Sequence, residues 1–344
     1  MPLTPPALAL EDVARGAPLD LDLDQDGTPQ RPVVVVDLDS RPFLGAAVRI
    51  GGALPVVIGV SRAGPDQVAG AACDVVLFAT GRPAPRTGIA VEDLDASVEA
   101  LVGAIERAPR AAVALTTLLR QTADQPDVRA ALLAESAVYS TLLAGPEHAD
   151  WLRARGPARP VIDTDTDTVR VTREGDVLRV TLCRPARRNA VTAALRDALV
   201  DALAIAHADP SLTVDIDAEG PDFSTGGDLD EFGTAPDVAT AHLVRSDRSV
   251  GWAIHQIRDR VRVRMHGRAQ GSGVEMPAFA GRVAATADAT FALPELSLGL
   301  VPGAGGTVSV TRRIGRWRTA WLALSGASID VTTALAWGLV DERA

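Results

Sequence analysis

The chain has 344 residues, 47% of them hydrophobic but only 3% aromatic, and a formal net charge of -10. That length suits one large domain or two ordinary ones with a core of Ala, Val and Leu, and the acidic balance argues against nucleic acid as a partner. All 34 basic residues are arginine, which leaves no lysine for a Schiff base or a general base.

Residues 1–31 are rich in Pro and Asp and read as a tail or extended arm. The first six residues lack the charged and apolar regions of a signal peptide. No apolar run reaches the roughly 18 residues a membrane helix needs. Two distant cysteines, Cys73 and Cys183, fit a reduced compartment, so a soluble cytoplasmic protein is expected. Asp22 to Gly27 opens like a calcium loop, but its twelfth position, where a bidentate Glu is required, is Val33.

Residues 32–160 read as an α/β domain. Strands are expected at 33–36, 56–60 and 75–79, and a helix over 92–108 that Pro109 stops. Segment 113–120 fits either a strand or a buried helix. An amphipathic helix over 128–143 ends at Gly145-Pro146. The composition of 155–160 and 163–167 is that of a solvated linker.

Residues 161–344 begin with a hairpin, 169–172 and 177–182, turning through 174–176. A helix over 192–206 can be capped by Thr192, and a buried strand follows at 214–216. The continuing alternation of strand and helix favours a parallel sheet with crossover helices.

Four places in this half carry chemistry. At Phe223-Ser224-Thr225-Gly226-Gly227-Asp228-Leu229 a glycine pair lets backbone N–H groups approach a ligand; an ordinary turn with Asp228 capping the next helix is the plainer reading. Gly271-Ser272-Gly273 precedes a helix, whose free N–H groups and positive end suit a developing oxyanion. Ser272 and Glu275 also fit a capping box, which would spend the Ser272 N–H on that glutamate. Glu295 follows Pro294, and Pro302 to Thr307 is a turn into a helix containing Ile314 to Leu324. Two carboxylates near backbone donors can move protons beside a polarised carbonyl. No histidine pair has metal-ligand spacing, and no Walker lysine, dinucleotide fingerprint or nucleophile elbow is present.

These motifs, with Arg184-Pro185-Ala186-Arg187-Arg188-Asn189-Ala190, Ala320 to Gly326 and Gly338-Leu339-Val340, occur in an order that resembles the crotonase (enoyl-CoA hydratase/isomerase) superfamily over residues 177–341. The resemblance implies an α/β fold, a ββα spiral core here joined to an additional N-terminal α/β domain. It implies an acyl-CoA thioester as substrate, no metal, no cofactor beyond that coenzyme A, and assembly as a homo-oligomer, usually a trimer or hexamer. The oxyanion hole falls on the N–H groups of Gly227 and Ser272, with Ser standing where Gly is usual. The glutamate pair falls on Glu275, the base on water, and Glu295, the acid toward the α-carbon.

Arg187 and Arg188, with Asn189 and Ala190, become partners for coenzyme A phosphates; a solvated basic pair is the other reading. The implied reaction is hydration or isomerisation of an enoyl-CoA. A cofactor-free dioxygenase of the dihydroxyphenylacetyl-CoA type is the alternative enzyme, although those lack this glutamate pair. A non-catalytic acyl-CoA-binding subunit follows if Glu275 is locked in the capping box. Gln270, where an aliphatic residue is usual, suggests a more polar acyl pocket. Family members continue past Gly-Leu-Val with further helices, whereas this chain stops at Ala344 and carries some 150 residues in front. The helix at 128–143 is therefore expected to pack where those helices would lie.

Overall fold

The computed structural model describes residues 7–14, 17, 19–39, 53–64, 72–79, 85–159 and 168–344; the linker segment 163–167 and the first six residues lie outside it. The first unit is an all-parallel sheet of β1 (Leu8–Ala9), β2 (Val33–Asp37), β3 (Val56–Ser61), β4 (Val75–Ala79) and β5 (Ile89–Val91), in that spatial order. Its central strands β2, β3 and β4 are largely buried on both faces, so they read as near-continuous apolar runs. Val33, Val35, Val56, Ile58, Val75 and Leu77 face the main core, while Val36, Val57 and Val76 face a smaller cluster with Leu10, Val13 and Cys73. Part of the expected arm is thus structural. Leu8 pairs with Val36 at the sheet edge, and α1 (Leu10–Ala14) covers the second face.

Helix α2 (Leu94–Arg107) starts at Asp93, whose carboxylate accepts the Ala96 N–H. Pro109 then opens α3 (Pro109–Thr122), where its missing N–H costs nothing, so segment 113–120 is helical. Helix α4 (Val128–Leu143) has the predicted bounds, and α5 (Pro146–Arg155) follows.

The second half opens with the hairpin of β6 (Val169–Glu174) and β7 (Val177–Leu182), then α6 (Ala193–Ala208) capped by Thr192, and β8 (Thr213–Ala218). Helices α7 (Val238–Asp247) and α8 (Val250–Gln256) lead to β9 (Val261–Met265), β10 (Arg268–Gln270), α9 (Ser272–Glu275), β11 (Arg282–Ala285) and β12 (Thr290–Ala292). The last elements are α10 (Gly306–Ile314), α11 (Arg316–Ser325), β13 (Ile329–Asp330), α12 (Val331–Trp337) and β14 (Glu342–Arg343). The single helix expected through 314–324 is two helices, broken at Gly315. A six-stranded sheet runs β14-β11-β9-β8-β7-β6, parallel except for the hairpin, and a small sheet runs β10-β12-β13. The chain passes twice from the large sheet to the small one, from β9 to β10 and from β11 to β12. Each passage is followed by a turn that carries a candidate site residue. No described helix is long and apolar enough to cross a membrane.

One apolar core runs through both halves, from Val33 to Val340. Helix α11 packs on α2, α3 and β4. At this seam the buried Asp74 accepts the Val57 N–H at 2.8 Å and Nε of Arg120 at 2.7 Å, with Nη1 of Arg316 at 3.6 Å. Leaving two guanidinium groups there without their anion is costly, as breaking a buried pair generally is, by about 3–5 kcal/mol. Asp74→Asn should lower the unfolding free energy by that amount in urea titration; a change below about 0.5 kcal/mol, the range of ordinary surface substitutions, would show that the cluster does not hold the halves together.

Candidate active site

The turn at Ser224–Gly227 and the start of α9 are stitched together by backbone. The Ser224 N–H donates to the Arg268 carbonyl at 3.1 Å, and the Gln270 N–H donates to the Ser224 carbonyl at 3.0 Å. Neighbouring donors are spent as well: Val191 N–H on Gly226, Asp228 N–H on Val191, and Gly271 N–H on Ala292. Between them the N–H groups of Gly227 and Ser272 have no acceptor among the described residues. The Ser272 hydroxyl is also buried without a partner.

The capping box does not form. Gly271 is the residue before the helix, and the Glu275 N–H donates to its carbonyl at 2.9 Å. The Glu275 carboxyl reaches away and accepts the N–H groups of Ala304 at 2.7 Å and Gly306 at 2.8 Å. Nor does Asp228 cap a helix: its carboxylate pairs with Arg184 at 3.5 Å and Arg187 at 2.9 Å.

Glu295 opens a 3₁₀ turn, Glu295–Leu298, and its carboxyl lies against the start of α9. A Cβ placed on Gly271 would sit 2.4 Å from Oε1 of Glu295, and Gly271 has φ +50°. That φ with ψ −124°, and the nearness of the carboxyl, both favour glycine. Oε2 of Glu295 is buried with no partner.

A third glutamate was not foreseen. Glu135 on α4 is 1% exposed and accepts the N–H groups of Gly305 at 2.7 Å and Thr307 at 2.9 Å, with the Thr307 hydroxyl at 2.6 Å. Its sequence signal was a charged residue at helical spacing among Ala131, Leu132 and Leu142 on the buried face of α4. The helix lies beside the two glutamates, sharing the 304–307 turn with Glu275. Tyr139, one turn further on, walls the same loop: a Cβ on Gly303 would lie 2.3 Å from its ring.

All three carboxyls are harder to ionise than in water. Burial pushes Glu275 well up, the charges of Glu295 and Glu135 add to this, and the Ala304 and Gly306 N–H groups oppose it. Burial takes Glu295 to about 8, with Glu135 contributing. Burial takes Glu135 to about 7 against the pull of Thr307, Gly305 and the Arg245 cation.

The Arg184–Ala190 turn is held from inside. Arg184, fully buried, donates through Nη1 to the Ala190 carbonyl at 2.6 Å. Asn189 accepts the Arg184 N–H at 2.8 Å and donates to the carbonyls of Glu219 at 2.8 Å and Asp222 at 2.9 Å, so its amide shapes the turn. Arg187 is engaged by Asp228 at 2.9 Å and Asp230 at 2.7 Å. Arg188 is the more open of the two, its side chain 52% exposed and 3.5 Å from Asp222.

Residues 172–343, half of the chain, match the model of the enoyl-CoA hydratase/isomerase family. The chain belongs to this family. Its crotonase-like α/β fold is the second half of the molecule, as the motifs over 177–341 implied, and the five-stranded parallel unit precedes it. The 2,3-dehydroadipyl-CoA hydratase of Escherichia coli (strain K12) is 37% identical over 174 residues, 50% of this chain and 67% of that one. The mevalonyl-coenzyme A hydratase of Beauveria bassiana is 32% identical over 48% of this chain and 62% of its own length. The chain thus spans roughly two thirds of these family members. Among solved structures, an enoyl-CoA hydratase from Thermoplasma volcanium aligns with a TM-score of 0.48 and 31% identity over 52% of this chain and 71% of that one.

Buried carboxyls with raised proton affinity make stability depend on pH. Glu295 binds its proton more tightly folded, near 8, than unfolded, near 4.5. Its contribution is therefore complete below about pH 4.5 and lost as pH rises through 8. Thermal unfolding of Glu295→Gln should be flatter than that of the native chain between those limits; parallel curves would show that Glu295 does not titrate in this window.

Proposed function

We propose that the chain binds an acyl-CoA thioester with its carbonyl oxygen between the N–H groups of Gly227 and Ser272, and hydrates or isomerises an enoyl-CoA with Glu275 and Glu295 as the acid/base pair. One observation carries this reading: two unspent backbone donors lie next to two buried carboxyls, one of which has an oxygen without a partner. Buried polar groups rarely stay unpaired. A thioester oxygen and a water or α-carbon proton satisfy all of them.

In hydration the water oxygen bonds to the β-carbon while Glu275 takes its proton. The π electrons move to the carbonyl oxygen, and each preorganised donor there is worth about 10²–10³ in rate. Glu295 returns a proton to the α-carbon. Two N–H groups aimed at the Glu275 carboxyl partly offset the burial that raises its proton affinity, whereas the unpartnered oxygen of Glu295 has no such donor. Isomerisation needs chiefly the Glu295 shuttle. The hydratase names of the E. coli and B. bassiana relatives support the hydration arm. The scaffold reading rested on a capped Glu275, and that cap is absent. Arg188, more exposed and held by Asp222 alone, is better able to meet coenzyme A phosphates than Arg187, which two carboxylates engage.

Crotonyl-CoA and a panel of longer and polar enoyl-CoAs, followed by loss of enoyl absorbance, test the reading. Glu275→Gln and Glu295→Gln should each lower kcat by about 10²–10⁴, the usual worth of a general acid or base. Full hydration by either variant would remove that residue from the chemistry, and oxygen uptake in its place would indicate the dioxygenase. Arg188→Ala should raise KM for coenzyme A esters about tenfold, as losing a charge-assisted bond does. It should leave a truncated N-acetylcysteamine thioester unaffected; equal effects on both would exclude a phosphate contact.

A further inference from the structure

The turn before α10 is held from two sides. Four consecutive N–H groups alternate between two carboxyls: Ala304 and Gly306 donate to Glu275, and Gly305 and Thr307 donate to Glu135. Gly305, at φ +106°, makes this alternation possible, and a Cβ there would lie 2.4 Å from the Phe279 ring. We propose that Glu135, supplied by the N-terminal unit, is a positioning residue of the glutamate site: it fixes the 304–307 turn, and through that turn the carboxyl of Glu275, and its charge governs when the pair gives up its protons. The proposal rests on the acid/base roles given above to Glu275 and Glu295.

Its physical basis is competition for one positive helix end. The N-terminus of α10 offers partial positive charge and a limited set of donors. Two carboxyls share it, and the repulsion between two ionised groups in a buried site makes the second ionisation costly. Facing Glu135 are Glu275 on α9, Glu295 on its 3₁₀ turn, Thr307 on α10, Tyr139 on its own helix, and Arg245 with His242 on α7. Arg245 donates from Nε to Ser136 Oγ at 3.1 Å and from Nη2 to Ser140 Oγ at 2.5 Å, and it lies over the Tyr139 ring at 4.5 Å. The cation is thus fastened beside Glu135 by the same helix.

Two readouts on the full-length chain test this. The first is the pH profile of kcat on crotonyl-CoA. The second needs no turnover: an infrared titration of the protonated carboxyl band in chain carrying ¹³C-labelled glutamate. Glu135→Gln keeps an acceptor but removes the charge. It should move the alkaline limb of the profile, and the loss of the remaining carboxyl band, to lower pH by one to two units, the size of a like-charge interaction across several ångströms at an effective dielectric of ~20. Glu135→Asp keeps the charge but shortens the reach. It should lower kcat about tenfold at unchanged KM and leave the alkaline limb in place, as loss of positioning alone does.

Should Glu135→Gln not fold, Thr307→Val reads the same coupling. It removes one donor, so Glu135 stays protonated to higher pH: its own part of the carboxyl band is lost later, while the alkaline limb of the kcat profile shifts downward by a fraction of a unit. If the native chain turns over no thioester but the infrared shift appears, the hydratase reading falls and the coupling stands. If turnover is normal and neither readout moves in Glu135→Gln, the positioning role is overturned.

Discussion

The start of α10 is the point on which both halves of the molecule converge. A helix N-terminus buried in protein must find acceptors for its first N–H groups. Here carboxylates supply them, one from the family fold and one from the preceding unit. The arrangement solves a backbone problem and creates an electrostatic one. Each carboxyl is drawn toward ionisation by the donors and pushed away from it by burial and by its neighbour. The acid/base roles proposed for Glu275 and Glu295 would draw on that balance.

Around that point the second half gathers its turns. Strand-to-turn passages after β9 and β11 bring Ser272, Glu275 and Glu295 into one place, and the turn after β8 brings Gly227 to meet them. The residues that do this positioning are small or hidden. Gly271 admits the Glu295 carboxyl, Arg184 and Asn189 pin the turn that presents Arg188, and Ser224 spends both backbone groups holding the two loops together.

Much of this was legible in the sequence where the cause is local. Valine runs marked the parallel strands, Thr192 marked its helix start, and glycine-bearing motifs marked the turns that need positive φ or close approach. What stayed hidden depends on tertiary partners. Ser272 and Glu275 carry a capping-box spacing that the structure does not use, because Ala304 and Gly306 offer the carboxyl better donors than a helix of one turn can. Pro109 does follow the end of α2 at Arg107, but it also opens α3, whose residues bury a face in the core. Glu135 could be seen only as an odd residue on an apolar stripe; its partners lie on a segment that no local rule connects to it.

That separation shapes how the molecule comes together. Glu135 and Thr307 are 172 positions apart, and Arg316 reaches back to Asp74 from a core that runs on to Val340. Contacts between distant parts of a chain slow folding, because loop entropy is lost before they return anything. During synthesis the first unit emerges early with the apolar face of α4 unpartnered. It becomes part of a finished interior only when the last third of the polypeptide has docked. The glutamate site exists only once those distant segments have met, so a chain that carries it has closed a loop of 172 positions.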